Sequence, residues 1–153
     1  MNLEIRVDDL SDPRIAEFLA DHLRDMYATS PPESVHALDL SGLKKPGITF
    51  WSAWNGTALV GCGALKRLDS QHVELKSMRT SPAHRRTGIG RTILEFILNE
   101  ARVAGYRRMS LETGSQPFFE PARSLYSSYD FTYCGPFADY RDDPNSVFMT
   151  RAL

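Results

Sequence analysis

Apolar and polar residues alternate along Leu3-Glu4-Ile5-Arg6-Val7, the period of a pleated strand. The period then lengthens. Ile15, Phe18, Leu19, His22, Leu23 and Met26 form one stripe of a helix that ends near Tyr27, with Asp12 as its N-cap and Pro13 in its first turn. His22 lies within that stripe and reads as a core residue. Residues 28–47 carry no strong period, Pro31 and Pro32 break the chain, and one or two short helical turns are expected between Ser34 and Leu43. A connection of this length is functional or mobile. Ile48–Trp54 is a strand, Asn55-Gly56 a hairpin turn, and Thr57–Leu65 the returning partner. Gly61 and Gly63 predict a bulge there, or the close approach of another backbone. After a polar turn, His72–Thr80 is the next strand of an antiparallel meander, and Ser81-Pro82 stops it.

From Ile89 the helical period returns at Ile93, Leu94, Ile97, Leu98 and Ala101, and Gly105 sits where a left-handed C-cap is wanted. Arg108–Glu112 is a further strand, placed parallel to His72–Thr80 by a right-handed crossover. A second helix over Pro121–Tyr129, a strand Thr132–Cys134, an aspartate- and aromatic-rich loop Pro136–Asn145 and a last strand Val147–Arg151 complete the chain. The order predicts a mixed α/β fold in a single domain over residues 1–153.

Composition narrows the function classes. Hydrophobic residues are 42% and charged residues 24%, the balance of a globular chain. The net charge of −1 argues against a general nucleic-acid or membrane-surface partner. The apolar runs are too short to span a bilayer, and the N-terminus MNLEIRVDDL has no apolar signal core, so a cytoplasmic location is expected. Cys62 and Cys134 form no CxxC, the four histidines show no paired ligand spacing, and no metal is expected.

The arginines are therefore a local feature. Between the third strand of the meander and the long helix lies Arg85-Arg86-Thr87-Gly88-Ile89-Gly90-Arg91. Two glycines let the backbone approach a ligand, and the first helical turn has unpaired N–H donors. With three arginines this makes an anion site, most plausibly for phosphate. The run fits neither GxxxxGK[ST] nor GxGxxG, because Ile93 stands at the last position of the latter. It does fit [Q/R]-x-x-G-x-[G/A] through Arg85, Gly88 and Gly90, and so resembles the acetyl-CoA pyrophosphate loop of the GNAT N-acetyltransferase superfamily. The order of elements matches that family along the whole chain. Ala122-x-x-Leu125-Tyr126-x-x-x-x-Phe131 is similar to its A-x-x-L-Y-x-x-x-G-F stretch. Two positions depart: Asp130 replaces a glycine, and Phe119 stands where a cofactor-contacting asparagine is common. The PPESVHAL and ETGS…FEPA…FADY…DPNSVFM stretches resemble a bacterial branch called YsnE-like.

The resemblance implies a mostly antiparallel twisted sheet with a splayed parallel strand pair and flanking helices. It also implies acetyl-CoA as co-substrate, held by Arg85, Arg86, Thr87, Gly88, Ile89, Gly90 and Arg91. Backbone groups of Met78 and Thr80 would pair with pantetheine, and the Met78 N–H would serve a developing oxyanion. Tyr126 is the expected general acid for the leaving thiolate, with Tyr129 as core. The base is Glu74 or Glu112. By the period of two, Glu74 shares a strand face with Lys76 and Met78, and Lys76 would keep its carboxylate charged. The acceptor is expected between segments Pro32–Leu43 and Phe137–Asn145, with His36 and Tyr140 as candidate binding residues beside Glu33, Ser34, Asp139 and Asn145. Acids at 33, 74, 112 and 139 would draw in a cation. The expected activity is transfer of acetyl from acetyl-CoA to a primary amine, of a small molecule, amino acid or peptide, by direct attack in a ternary complex. The alternative is a CoA-binding regulatory or interaction module without turnover. Oligomeric state is not set by the sequence, although homodimers are common in the family.

Overall fold

The computed structural model describes residues 2–153. Strands β1 (Leu3–Val7), β2 (Ile48–Asn55), β3 (Ala58–Arg67), β4 (His72–Thr80), β5 (Arg108–Gly114), β6 (Thr132–Cys134) and β7 (Ser146–Ala152) form one sheet in the order β1-β2-β3-β4-β5-β7-β6. Every neighbouring pair is antiparallel except β4 and β5, which are parallel as the crossover predicts. The helices are α1 (Pro13–Thr29), α2 (Leu40–Leu43), α3 (Ile89–Val103) and α4 (Glu120–Ser128). No helix is long and apolar enough to cross a membrane.

Their apolar stripes bury against opposite faces of the sheet. Ile93, Leu94, Ile97 and Leu98 of α3 and Tyr126 of α4 pack with Trp51, Val73, Leu75, Met109, Leu111 and Met149. Ile15 and Leu19 of α1 and Leu43 of α2 pack with Phe50, Trp54, Cys62 and Ala64 from the alternate positions of β2 and β3. The local signals hold as read. Asp12 caps α1 by accepting from the Arg14 N–H at 2.9 Å, and Gly105 follows α3 in the left-handed region at φ 92°. Asp130 takes the left-handed conformation (φ 68°) that a glycine would adopt more cheaply.

The paired glycines of β3 mark both features expected of them. The β3–β4 register shifts between Cys62 and Ala64, and a Cβ on Gly61 would stand 2.6 Å from Ile93 Cδ1 and 2.9 Å from the Arg79 carbonyl oxygen. Only glycine lets α3 and the neighbouring strand come this near.

The bulge overturns one expectation. Cys62 pairs with Arg79 and Ala64 with Lys76, so Ser77 and Met78 together oppose Gly63. Ser77 takes φ 56° to accommodate the extra residue. Strand alternation is thereby reset. Glu74 and Lys76 do share a face, but Met78 turns to the α3 side, where its Sδ would lie 2.9 Å from a Cβ on Gly63. Arg79 joins Glu74 and Lys76 on the face of α1.

Candidate active site

The glycine-arginine segment leaves β4 through a 3-10 turn, Pro82–His84, and enters α3 with Gly88 as N-cap. Gly88 sits at φ 85° and Arg86 at φ 64°, both left-handed, so the loop curls its backbone N–H groups toward one side. No side chain caps α3, which leaves the first-turn donors to whatever the loop holds. Arg85, Arg86, Gly88, Ile89, Gly90 and Arg91 line a cleft of about 700 Å³. Thr87 belongs to the loop differently, since its hydroxyl donates to the His84 carbonyl. A Cβ on Gly88 would meet nothing within 4 Å, so the space beside it is open.

The cleft continues into a gap in the sheet. β4 and β5 pair only from His72 with Arg108 to Leu75 with Leu111. Beyond that point both strands run on unpaired with each other, and Lys76 and Glu112 flank the start of the splay. Met78, Thr80, Leu125 and Tyr126 line the cleft on the side of α3 and α4. Tyr126 is buried, its ring edge-on to Phe131 with centroids 5.8 Å apart, and burial raises its pKa. Tyr129 is half-buried, and its hydroxyl donates to Glu95. Phe119 closes this end, its ring so near Gly114 that a Cβ there would lie 2.1 Å from Phe119 Cδ2. The strand-end glycine was the available signal for that contact.

On the opposite face, three segments distant in sequence converge. Glu74 is 2% exposed, and its Oε2 accepts from the Tyr140 hydroxyl at 2.5 Å and from Lys76 Nζ at 3.2 Å. Lys76 Nζ also donates to the Tyr140 oxygen at 3.0 Å and to the His36 carbonyl at 3.4 Å. The His36 and Tyr140 rings meet edge-on at 5.0 Å. His36 lines the cleft, whereas Tyr140 stands behind Glu74 and reaches the cleft through it. Glu112 is less engaged. Burial pushes its pKa from 4.5 up to about 7, with the charge of Glu74 adding to the rise and Lys76 opposing it.

Of the four acids expected at the acceptor side, two are there. Glu33 and Asp139 are exposed and outside the cleft, because the 3-10 turn at Pro32–Ser34 and the turn near Asp139 direct them to solvent. Asp143 takes their place beside the cleft: it accepts from Ser34 Oγ at 2.6 Å, and Asn145 Nδ2 donates to the same hydroxyl at 3.4 Å. The early connection and the late loop are joined there. Sequence reasoning also missed Arg79, because an unbroken period of two turns it toward α3.

Neither cysteine lines the cleft, and burial pushes the Cys62 thiol up to about 12. Among the described residues no group of three or more His, Cys, Asp or Glu is placed to hold a metal ion.

The fold and the sequence both have relatives. The Acetyltransferase (GNAT) family model matches residues 15–131. A Bacillus subtilis (strain 168) protein called uncharacterized N-acetyltransferase YsnE is 56% identical over 151 residues, spanning 99% of this chain and 100% of that protein. The Escherichia coli (strain K12) protein called uncharacterized N-acetyltransferase YedL is 48% identical over 149 residues, spanning 97% and 94% respectively. A GNAT family acetyltransferase from Elizabethkingia anophelis, crystallised with acetyl-CoA bound, has the same fold at a TM-score of 0.71 and 16% identity, over 99% of each chain. With a family model over most of its length and relatives near half identity across its whole extent, this chain belongs to the GNAT acetyltransferase family.

Proposed function

We propose that this protein transfers the acetyl group of acetyl-CoA to a primary amine by direct attack within a ternary complex. The observation that carries the reading is a single cleft. It runs from the uncapped N-terminus of α3, through the β4–β5 gap, to Glu112 on the other face. The CoA pyrophosphate would rest on the N–H groups of residues 86–91, and pantetheine would pair with the free backbone of Met78 and Thr80 in the gap.

Glu112 is the better base. Its carboxylate titrates near neutrality, whereas Glu74 is tied to Lys76 and Tyr140. The amine gives its proton to Glu112, its nitrogen bonds to the thioester carbon, and the C–S bond breaks. The departing thiolate takes the Tyr126 proton. Burial raises the Tyr126 pKa, so the phenol carries its proton at neutral pH and is present as a donor when the leaving group departs. The Met78 N–H stabilises the oxyanion between these steps. The absence of both cysteines from the cleft wall supports direct attack over an acyl-enzyme.

Initial-velocity kinetics test this, with free CoA measured while acetyl-CoA and a panel of amines are varied. Intersecting patterns with at least one amine are expected. Parallel patterns overturn direct attack, and tight acetyl-CoA binding without turnover on any amine overturns the transferase reading.

A further inference from the structure

One arm of the cleft extends away from Glu112, between α1 and β4. His22 and Met26, one turn apart on α1, and its C-cap Ser30 line it together with Arg79. Arg79 is 8% exposed, with its guanidinium 5.3 Å from the Phe18 ring. Nη1 donates to Asp25 Oδ2 at 2.7 Å, but the buried Nε has no hydrogen-bond partner. A guanidinium has five N–H donors, and a buried one left partly unpaired is costly.

The neighbouring charges do not satisfy it. The Asp25 side chain is 38% exposed, and its carboxylate is shared with Arg85, whose Nη2 lies 3.9 Å away. One carboxylate thus faces two guanidiniums. His22 adds no charge near neutrality, since burial first and the Arg79 charge second hold its pKa at about 4. Lys76, the other cation on this face, already has three acceptors in Glu74, Tyr140 and His36. Arg79 is therefore the buried cation of this arm with a donor to spare, Arg85 being exposed beside the glycine-arginine loop.

Resting on the acetyl-transfer reading for its amine end, we infer that the acceptor carries a carboxylate as well as an amine. The carboxylate is held by Arg79 in the α1 arm while the amine faces Glu112. Arg79 lies three residues beyond Lys76, one of them the extra residue of the bulge, which puts it about 7 Å along the strand from the start of the splay. A span of that length along the strand is about the size of a small amino acid. Planar guanidinium donors suit a carboxylate, and a site built for that pairing discriminates against analogues that lack it.

The experiment compares free amino acids with their carboxamides, pair by pair, as acceptors. The amino acids are expected to exceed the amides at least about tenfold in kcat/KM, and Arg79→Met should bring that ratio to about one. Retained acetyl-CoA affinity reports that the variant is folded. If Arg79→Met does not fold, Asp25→Asn serves, since removal of the competing carboxylate should raise the ratio at least about threefold. Equal turnover of acid and amide by the unmodified protein, or an unaltered ratio in the variant, overturns the inference and leaves acetyl transfer standing. Calorimetry of N-acetyl amino acids and their amides on the CoA complex reads the same pairing without turnover. Carboxylate-dependent binding in a protein that acetylates nothing keeps the Arg79 site and removes the transferase reading. Equal binding of acid and amide, or no binding of either, overturns the site.

Discussion

The Tyr140 hydroxyl donates to the Glu74 carboxylate at 2.5 Å, joining residues 66 apart in sequence and so fastening the late loop to the middle of the sheet. Lys76 lies against both and also holds the early connection through the His36 carbonyl. The two walls of the acceptor side share one buried polar cluster. Hydrogen bonds to charged groups contribute about 1.5–3 kcal/mol. Tyr140→Phe leaves Glu74 short of a donor, and His36→Ala removes the ring against Tyr140. Both variants should raise the KM for the acceptor roughly three- to tenfold with the KM for acetyl-CoA unchanged. Steady-state kinetics with each substrate varied separately checks this, and an unaltered acceptor KM and kcat in both variants places the acceptor elsewhere.

The glycine-arginine loop makes a sharper demand on its glycines. Gly88 needs φ 85°, a region costly for any β-branched side chain, and its missing Cβ leaves the ligand side open. Gly88→Val should weaken acetyl-CoA binding more than about tenfold, roughly 1.4 kcal/mol. Calorimetry on the folded variant decides, and an unaltered affinity removes the pyrophosphate from this loop.

Tyr126 is buried in the α3–α4 core and also lines the cleft. Tyr126→Phe keeps the ring and its packing on Phe131 while removing the proton. Turnover should fall by about 10²–10⁴ with little change in acetyl-CoA affinity or melting temperature. A single-turnover measurement, in which chemistry is isolated from product release, separates this outcome from a packing role.

Glu112 links activity to stability in opposite directions. Its folded-state pKa of about 7 lies above the ordinary 4.5, so between those values the folded chain holds a proton that the unfolded chain has lost. Stability therefore falls as pH rises through that window, and the penalty is complete above it. Glu112→Gln removes the titration. The variant should be more stable than the parent at pH 8, on the order of 1–3 kcal/mol, with no gain at pH 4. Its turnover should drop, and the rise of parental activity with pH near 7 should vanish. Thermal melts and pH–rate profiles on the same preparations give both readings.

Much of this was legible because it is local. The stripe of α3, the cap at Asp12, the hairpin at Asn55-Gly56 and the left-handed turn at Gly105 each depend on residues a few positions apart. The splay between β4 and β5 followed from the family resemblance and not from any local pattern. The convergence of Ser34, Glu74, Tyr140 and Asp143 depends on loop paths that no period encodes. Ser77 misled the face assignment most directly: serine has no bias toward positive φ, so nothing in the sequence marks the bulge on β4 itself. The marker lay across the ladder, in Gly61 and Gly63, read as a feature of their own strand.

That one supernumerary residue also separates two histories. Before Ser77, odd positions of β4 serve the α3 side of the sheet and even positions the α1 side; after it the parity is exchanged. Met78 thus lies under α3 beside the glycine-arginine loop while Arg79, its immediate neighbour, lies under α1, where the proposed acceptor carboxylate would bind. Substitutions at 74, 76 and 79 would therefore alter the face under α1 without reopening the hydrophobic fit under α3. Deleting Ser77 would remove the bulge and leave both sets on their faces, whereas straightening the strand with Ser77 in place would transpose them, sending a guanidinium under α3 and a thioether toward α1.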